Sequence, residues 1–242
     1  MASAQHEPGS HVQFVARGKG WNLKKTSVMV EGDTDVSYFE LASKLYSNKH
    51  DKKLVGDDFS TFSPGTGDEG GTPGIIQWFP TLKNLIDIDV DTASKKCFRI
   101  AVLVDGDSAG KMARKALLAA NRSFVENRDV FVLHRTMPRS TREPTTLTKQ
   151  IEKSNKGWKS IDCEIEDLIE KSFLDEYFSE NPRARRNLQE VNGAYHVNME
   201  RGYKGELFRY VEKYAIYEDI KKIIDIVRSL RFYLGVDPDG VL

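Results

Sequence analysis

Acidic side chains follow two apolar segments of the chain at the points where those segments end. Glu31 comes directly after the β-branched run at residues 26–30, and Asp105 and Asp107 come directly after the apolar run at residues 98–104. Both runs predict β-strands, and alternate residues of an extended chain point the same way, so Asp105 and Asp107 can present two carboxylates to one point. Crowded carboxylates repel each other unless a hard cation neutralises them, and Mg²⁺ or Mn²⁺ suits such oxygen ligands.

The elements that would position these residues alternate along the chain. Strands are predicted at residues 26–30, 59–62, 98–104 and 130–134, with helical segments between them. This alternation is typical of βαβ crossovers and a parallel sheet. In such a sheet the carboxyl ends of the strands face one crevice. Glu31 and the Asp105/Asp107 pair are therefore expected to meet there, and Asp35, in the first turn after Glu31, would share the site or hold the loop.

Ordinary structural roles and a second chemistry are also open for these residues. Asp-Gly after a strand is typical of a turn, and Asp before a helix is a common N-cap. Asp-x-Asp after an apolar strand also resembles the haloacid-dehalogenase phosphatases, in which the first Asp is a nucleophile. That pattern requires Thr or Val two residues after the second Asp, where this chain has Ala109.

Three short motifs resemble the TOPRIM domain, and one of them points to a particular branch of it. The stretches Val30-Glu-Gly-Asp-Thr-Asp-Val36 and Val104-Asp-Gly-Asp-Ser-Ala-Gly110 look like its first and second motifs. Cys163-Glu-Ile-Glu-Asp-Leu-Ile169 is similar to the Glu-x-Glu-Asp stretch of the OLD (overcoming lysogenization defect) nucleases. The resemblance implies an α/β fold: a TOPRIM-like (Rossmann-like) compact parallel sheet flanked by helices, here with a C-terminal helical extension.

The first two motifs carry a metal-binding role in the family. By resemblance, Glu31 would be a metal ligand or a general base. Asp105 and Asp107 would bind the catalytic Mg²⁺ or Mn²⁺, with Asp35 supporting the site. Two such cations can activate a water and stabilise the leaving oxygen of a phosphodiester.

The third motif and a later lysine would complete that site. By resemblance, Glu164 and Glu166 form a second metal position, and Lys204 stabilises the charge that develops on the phosphate. Structural interpretations are also open, because acidic residues are favoured in the first turn of a helix and lysines are common on surfaces.

The resemblance predicts a metal-dependent nuclease acting on DNA or RNA. OLD proteins usually carry an ATPase on the same chain, but this sequence has no Gly-x-x-x-x-Gly-Lys-Ser/Thr motif. It would then be a stand-alone module, similar to the effector of two-gene antiphage systems, with a separate ATPase as regulatory partner. A homo-oligomer is also compatible with the sequence. The alternative is a non-catalytic TOPRIM module that binds nucleic acid or a partner protein.

Charge, cysteine content and hydropathy bear on the remaining classes of function and location. The 242 residues contain 36 Lys+Arg and 36 Asp+Glu, so net charge gives no support to electrostatic wrapping of nucleic acid. Two cysteines without metal-type spacing favour a reducing, cytoplasmic setting, and no apolar run is long enough for a membrane span. The predicted organisation is a loose arm at residues 1–20, the TOPRIM-like domain at 21–178 and the helical extension at 179–242.

Several other groups are expected at the rim of the crevice. A glycine-rich loop at residues 65–74 has backbone N–H groups that suit phosphate, and Arg135, Arg139 and Arg142 follow the fourth predicted strand, where they suit a nucleic-acid backbone. Residues 140–160 are predicted to be a polar loop. His134, which ends a strand, is expected to be structural.

Overall fold

The computed structural model describes residues 9–65, 70–200 and 202–241. The strands are β1 (Thr26–Met29), β2 (Phe59–Phe62), β3 (Arg99–Val104), β4 (Val130–Val132), β5 (Arg185–Val191) and β6 (Ala194–Met199). The helices are α1 (Ser10–Lys19), α2 (Asp33–His50), α3 (Gly71–Ile88), α4 (Ser108–Ala120), α5 (Pro144–Ser154), α6 (Lys171–Glu180), α7 (Tyr203–Tyr214) and α8 (Lys221–Tyr233). None of the helices in the described ranges is both long and apolar enough to cross a membrane.

The first four strands form one parallel sheet in the order β2-β1-β3-β4. Its central strands are apolar on both sides, because helices cover both faces. Val28 and Ala101 pack in a core with α2 and α5–α8, whereas Met29 and Val102 pack in a second core with α1, α3 and α4. The predicted α/β class, with a parallel sheet flanked by helices and further helices near the C-terminus, is therefore confirmed.

The N-terminal segment differs from its prediction as a loose arm. Within the described part, Ser10–Lys19 forms α1, and Val12 and Ala16 are buried in the second core. The carboxylate of Asp89 accepts a hydrogen bond from the Val12 N–H at 2.8 Å and so caps the start of the helix. The sequence pattern did not reveal this helix, because most of its residues are small or polar and only Val12 and Ala16 are buried. Residues 1–8 of the predicted arm lie outside the described part.

Residues 140–160 also differ from prediction, since most of them form α5. Glu143 caps the helix by accepting hydrogen bonds from the N–H groups of Thr145 and Thr146, and Pro144 occupies the first turn. Leu147 and Ile151, one turn apart, are its buried residues. A proline after a capping carboxylate is a recognised start signal for a helix, and here it outweighs the polar composition.

The predicted helical extension begins with a β-hairpin. Antiparallel strands β5 and β6 follow α6, and the turn between them uses Asn192 and Gly193, both with positive φ. Asn-Gly is the preferred pair for such a turn. Further along, Arg231 in α8 is fully buried and binds the Asp58 carboxylate and the Leu54 carbonyl. Residues beyond 178 therefore complete the core on one face of the sheet.

Candidate metal centre

Two of the predicted acidic clusters meet directly at the carboxyl edge of the sheet. Strands β1 and β3 are parallel neighbours, so Glu31 and Asp105, which follow them, lie side by side. The backbone N–H of Asp105 donates to Glu31 Oε1 at 2.9 Å. The second oxygen of Glu31 makes no hydrogen bond within the described residues, nor does either carboxylate oxygen of Asp105. The sheet therefore positions both carboxylates, and three of their four oxygens remain available to bind a cation.

Asp35 and Asp107 have capping roles as well as places in this cluster. Asp35 Oδ2 accepts a hydrogen bond from the Gly32 N–H at 2.9 Å, and Asp107 Oδ1 accepts one from the Gly110 N–H at 2.7 Å. These contacts fix the starts of α2 and α4. Each carboxylate uses only one oxygen in its cap. The ordinary structural interpretation of these residues therefore coexists with a role at the centre.

The third motif lies against the turn that carries Asp105. The N–H of Gly106 donates to the Cys163 carbonyl at 2.7 Å, which joins the loop of residues 162–168 to the end of β3. The loop contains a short 3-10 turn at Ile165–Leu168, not the start of a long helix, and Asp167 caps it by accepting from the Glu164 N–H. Its acidic side chains are thereby held at the same edge of the sheet.

Glu166 and Glu164 differ in their surroundings. The Glu166 side chain is only 4% exposed, and its Oε2 is buried without a hydrogen bond from any described residue. Glu164 is partly exposed and accepts a hydrogen bond from Lys204 Nζ at 2.9 Å. Lys204 Nζ also lies 3.5 Å from Glu166 Oε2. The lysine, on the first turn of α7, is thus the cation that partly compensates this pair.

The pKa values of Glu31, Asp35, Asp105 and Lys204 are shifted because these groups share one electrostatic environment. Burial raises the pKa of Asp35 to about 7, with further increases from the charges of Glu166 and Glu31. Burial likewise raises the pKa of Glu31 to about 6, and burial followed by the charges of Asp35 and Glu31 raises the pKa of Asp105 well above its ordinary value. The pKa of Lys204 is raised, because Glu166 and Glu164 outweigh the opposing effect of burial. Mutual repulsion among the carboxylates is therefore a property of the centre.

The donor set fits a hard divalent cation. All the acidic groups offer carboxylate oxygens, several of those oxygens are uncommitted, and one of them, Glu166 Oε2, is buried with no hydrogen bond among the described residues. In the described ranges no three His, Cys, Asp or Glu side chains already stand in metal-ligating geometry. Metal binding would therefore require these side chains to move toward a common point.

Gly110 is expected to be essential for the geometry of the Asp105 turn. A Cβ added at Gly110 would lie 2.1 Å from the Asp105 carbonyl oxygen. We expect Gly110→Ala to lower the free energy of unfolding by about 2–3 kcal/mol, measured by urea denaturation, because α4 must move away from the turn. Gly18→Ala is the matched control: nothing lies within 4 Å of its added Cβ, and it should stabilise α1 by about 0.5–1 kcal/mol. Equal stability of Gly110→Ala and wild type would contradict this account.

Asp35 gives the centre a pH-dependent stability. Its pKa is raised from an ordinary 3.8 to about 7, so the folded protein binds the proton more strongly than the unfolded chain does. This contribution is fully present below about pH 4 and is lost as the pH rises through about 7. In EDTA, the melting temperature of Asp35→Asn should therefore exceed that of wild type by more at pH 8 than at pH 5. A difference that is constant, or that shrinks with rising pH, would show that Asp35 is not repelled in the folded state.

The basic residues predicted at the rim have other contacts. Arg135 is 8% exposed at its side chain, and its terminal nitrogens donate to the backbone carbonyls of Asp162, Asp167 and Tyr195. Arg139 binds Asp225 in α8. Arg142 stacks its guanidinium over the Phe232 ring. Each of the three arginines therefore has protein contacts of its own, and Arg135 and Arg139 line the same cavity.

Two further sequence predictions concern the glycine-rich loop at residues 65–74 and His134. Residues 66–69 of the loop lie outside the described part, and the N–H of Gly71, at the start of α3, donates to the Glu31 carbonyl at 3.0 Å. Burial lowers the pKa of His134 to about 4, so the ring is neutral at pH 7. A buried, uncharged ring is compatible with the structural role expected for His134.

Comparison of the chain with protein-family models, with curated proteins and with solved structures finds no match. The fold and the site still define a class in chemical terms: an α/β domain with clustered carboxylates and a lysine at the carboxyl edge of a parallel sheet.

Proposed function

We propose that this protein is a divalent-metal-dependent nuclease of the TOPRIM type that hydrolyses phosphodiester bonds in DNA or RNA. The observation that carries the proposal is the convergence of Glu31 and Asp105 with the loop that bears Glu164 and Glu166. These residues come from separate parts of the chain, and capping or turn formation does not require them to share one electrostatic environment. Phosphodiester hydrolysis is inferred from the resemblance of the three motifs to TOPRIM and OLD proteins.

Two groups of carboxylates would hold the metal. Glu31, Asp105 and Asp107, supported by Asp35, would hold one Mg²⁺ or Mn²⁺, and Glu164 and Glu166 would contribute to a second position. When bound, the cations supply an activated water and neutralise charge on the phosphate. Six carboxylates compensated by one lysine repel a phosphodiester on their own. Metal loading therefore also makes the crevice able to accept an anionic substrate.

The other side chains position and stabilise the reacting group. Lys204 Nζ is held beside Glu164 and Glu166 and can donate to a phosphate oxygen as negative charge grows there. Glu31 would serve either as a metal ligand or as the base that accepts a proton from the attacking water. The cap formed by Asp107 keeps α4 and the Asp105 turn fixed during the reaction.

We also propose a biological role and a cellular location for this activity. A role as the effector of a bacterial antiphage system, with an ATPase as regulatory partner, is supported by the resemblance of the three motifs to TOPRIM and OLD proteins. A cytoplasmic location agrees with the two cysteines, both of which are free thiols.

Cleavage assays test the proposed reaction. Purified protein is incubated with supercoiled plasmid, single-stranded DNA and total RNA in Mg²⁺, Mn²⁺ or EDTA, beside an Asp105→Ala/Asp107→Ala variant whose fold is checked by circular dichroism. We expect cutting in Mg²⁺ or Mn²⁺ that EDTA and the double variant both abolish. Cutting that persists in EDTA or in the variant would refute this site. A folded protein that cuts none of these substrates, even when its regulatory partner is added, would favour the non-catalytic alternative.

A further inference from the structure

A cavity of about 590 Å³ lies beside the metal centre, and the proposed nuclease activity does not use it. It is bounded by the segment after β4, the 3-10 turn that contains Trp158, the turn of the β5–β6 hairpin and the first turns of α8. The lining residues that bear on its chemistry are Arg135, Arg139, Trp158, Tyr195, Lys222 and Asp225. A cavity of this volume is in the range that holds a small organic ligand.

Three cations line the cavity, and one of them is incompletely satisfied. Arg135 Nε is buried and has no hydrogen-bond partner among the described residues, although the side chain is only 8% exposed. The terminal nitrogens of this guanidinium bind backbone carbonyls, and the carboxylate in contact with it, that of Asp167, is 3.9 Å away. Arg135 therefore contributes positive charge to the wall of the cavity, although its Nε is itself buried. Arg139 and Lys222 add two further positive charges; Arg139 is paired with Asp225, and Lys222 Nζ lies 3.7 Å from Glu170 Oε2, outside the lining.

The two acidic residues in the lining have further partners outside it. Asp225 contacts Arg228 as well as Arg139, each at 3.3 Å. The Asp167 carboxylate accepts hydrogen bonds from the N–H groups of Val197 and Glu164, and its Oδ2 lies 2.8 Å from His196 Nδ1. The lining itself has three cationic and two acidic side chains, an excess of one positive charge.

An aromatic wall completes the cavity. Trp158 is partly exposed, and its indole N–H is 3.4 Å from the Asn192 carbonyl, which leaves the ring faces for packing. Nucleobases stack on such rings with little dependence on base identity, and arginines and lysines bind phosphate. The combination of a flat aromatic surface with clustered cations matches one chemical class of ligand, the nucleotide.

We propose that this cavity binds a nucleotide, with its phosphate near Arg135, Arg139 and Lys222 and its base against Trp158. The nucleotide comes either from solution or from an unpaired position of a nucleic-acid strand, since both present the same groups. Asp167 links the site to the metal centre, because it lines the cavity and also caps the loop that holds Glu164 and Glu166. The proposal does not depend on the nuclease activity.

Tryptophan fluorescence in EDTA tests the proposal without any turnover. The protein is titrated with AMP, GMP, CMP and UMP, with the matching nucleosides, and with short single-stranded oligonucleotides. We expect a nucleotide to quench the emission and to bind about tenfold more tightly than its nucleoside, because the phosphate contacts are charge-assisted. Lys222→Glu should weaken binding about tenfold or more, whereas Lys221→Glu, the same charge change one residue away, should change it less than about twofold. Trp158→Phe should retain binding and lose most of the quenching.

The arms of the titration separate the two sources of the nucleotide. Equal affinity for mononucleotide and oligonucleotide identifies a free nucleotide as the ligand. An oligonucleotide that binds about tenfold more tightly, with the same dependence on Lys222, identifies a strand. The proposal is overturned if neither binds at about 1 mM, or if Lys222→Glu and Lys221→Glu bind equally well with both variants folded by circular dichroism. Because no metal is present, loss of cleavage in other assays does not affect this result.

Discussion

Replacing Asp105 by Asn is expected to raise the melting temperature of the metal-free protein and to reduce strongly the proposed metal-dependent cleavage. Burial and the charges of Asp35 and Glu31 raise the pKa of Asp105 well above its ordinary value, so its ionised form is disfavoured in the folded protein. The amide cannot ionise, and it keeps the size of the side chain. Each kcal/mol of relieved repulsion should add about 2–4 °C to the melting temperature in EDTA. Cleavage should fall by at least about 100-fold, because Asp105 is a proposed metal ligand.

The opposite signs of these two effects make the prediction specific. A residue with a purely structural role would lose stability when replaced, and a surface residue would change neither quantity. Asp57→Asn is the matched control, since that side chain is fully exposed and distant from the centre. Addition of Mn²⁺ should stabilise wild type and the control but not Asp105→Asn. Destabilisation of Asp105→Asn in EDTA would contradict the proposed repulsion.

Replacing Lys204 by Gln is expected to separate metal binding from catalysis. The ammonium group lies 2.9 Å from Glu164 Oε2 and 3.5 Å from Glu166 Oε2, so it competes with a cation for the same oxygens. Its removal should tighten Mn²⁺ binding, measured by calorimetry, and slow cleavage by about 10²–10³-fold through loss of charge stabilisation on the phosphate. In EDTA the variant should melt at a lower temperature, because the buried Glu166 then lacks its counter-charge.

Lys213→Gln provides the control on the same helix. Lys213 is exposed at the C-terminal end of α7, so its replacement should leave metal affinity and cleavage unchanged. If Lys204→Gln instead bound Mn²⁺ more weakly, the lysine would have a role in building the metal site and not in competing for it. If it cleaved at the wild-type rate, the catalytic role would be refuted.

The centre of the site could be predicted from local pattern because strand order fixes it. An apolar run followed by an acidic residue occurs at Glu31 and again at Asp105, and two parallel strands that are neighbours must bring such residues together. The same reasoning allowed an N-cap for an aspartate that precedes a helix, which Asp107 forms. These features depend on the periodicity of the strands and on short-range turn chemistry, which the sequence displays directly.

Other parts of the site depend on contacts between distant segments, which local pattern does not contain. Lys204 lies beside Glu164 because the β5–β6 hairpin reverses the chain between them. The turn at Asn192 and Gly193 is a local signal for that hairpin, and the prediction of helices for the whole segment overlooked it. Arg135 was expected at the rim of the crevice, but its terminal nitrogens bind three carbonyls from two segments, the loop of residues 162–168 and strand β6, which are adjacent to it only in the folded chain.

Direct titration of the metal-free protein with Mn²⁺, followed by calorimetry at pH 7.5 and again at pH 5.5, tests whether these carboxylates form a metal centre. We expect about two ions to bind per chain at the higher pH, and much weaker binding at the lower pH, where protons occupy Asp35 and Glu31. Absence of Mn²⁺ binding to the folded wild-type protein at pH 7.5, or binding that Asp105→Asn leaves unchanged, would show that these carboxylates do not form a metal centre.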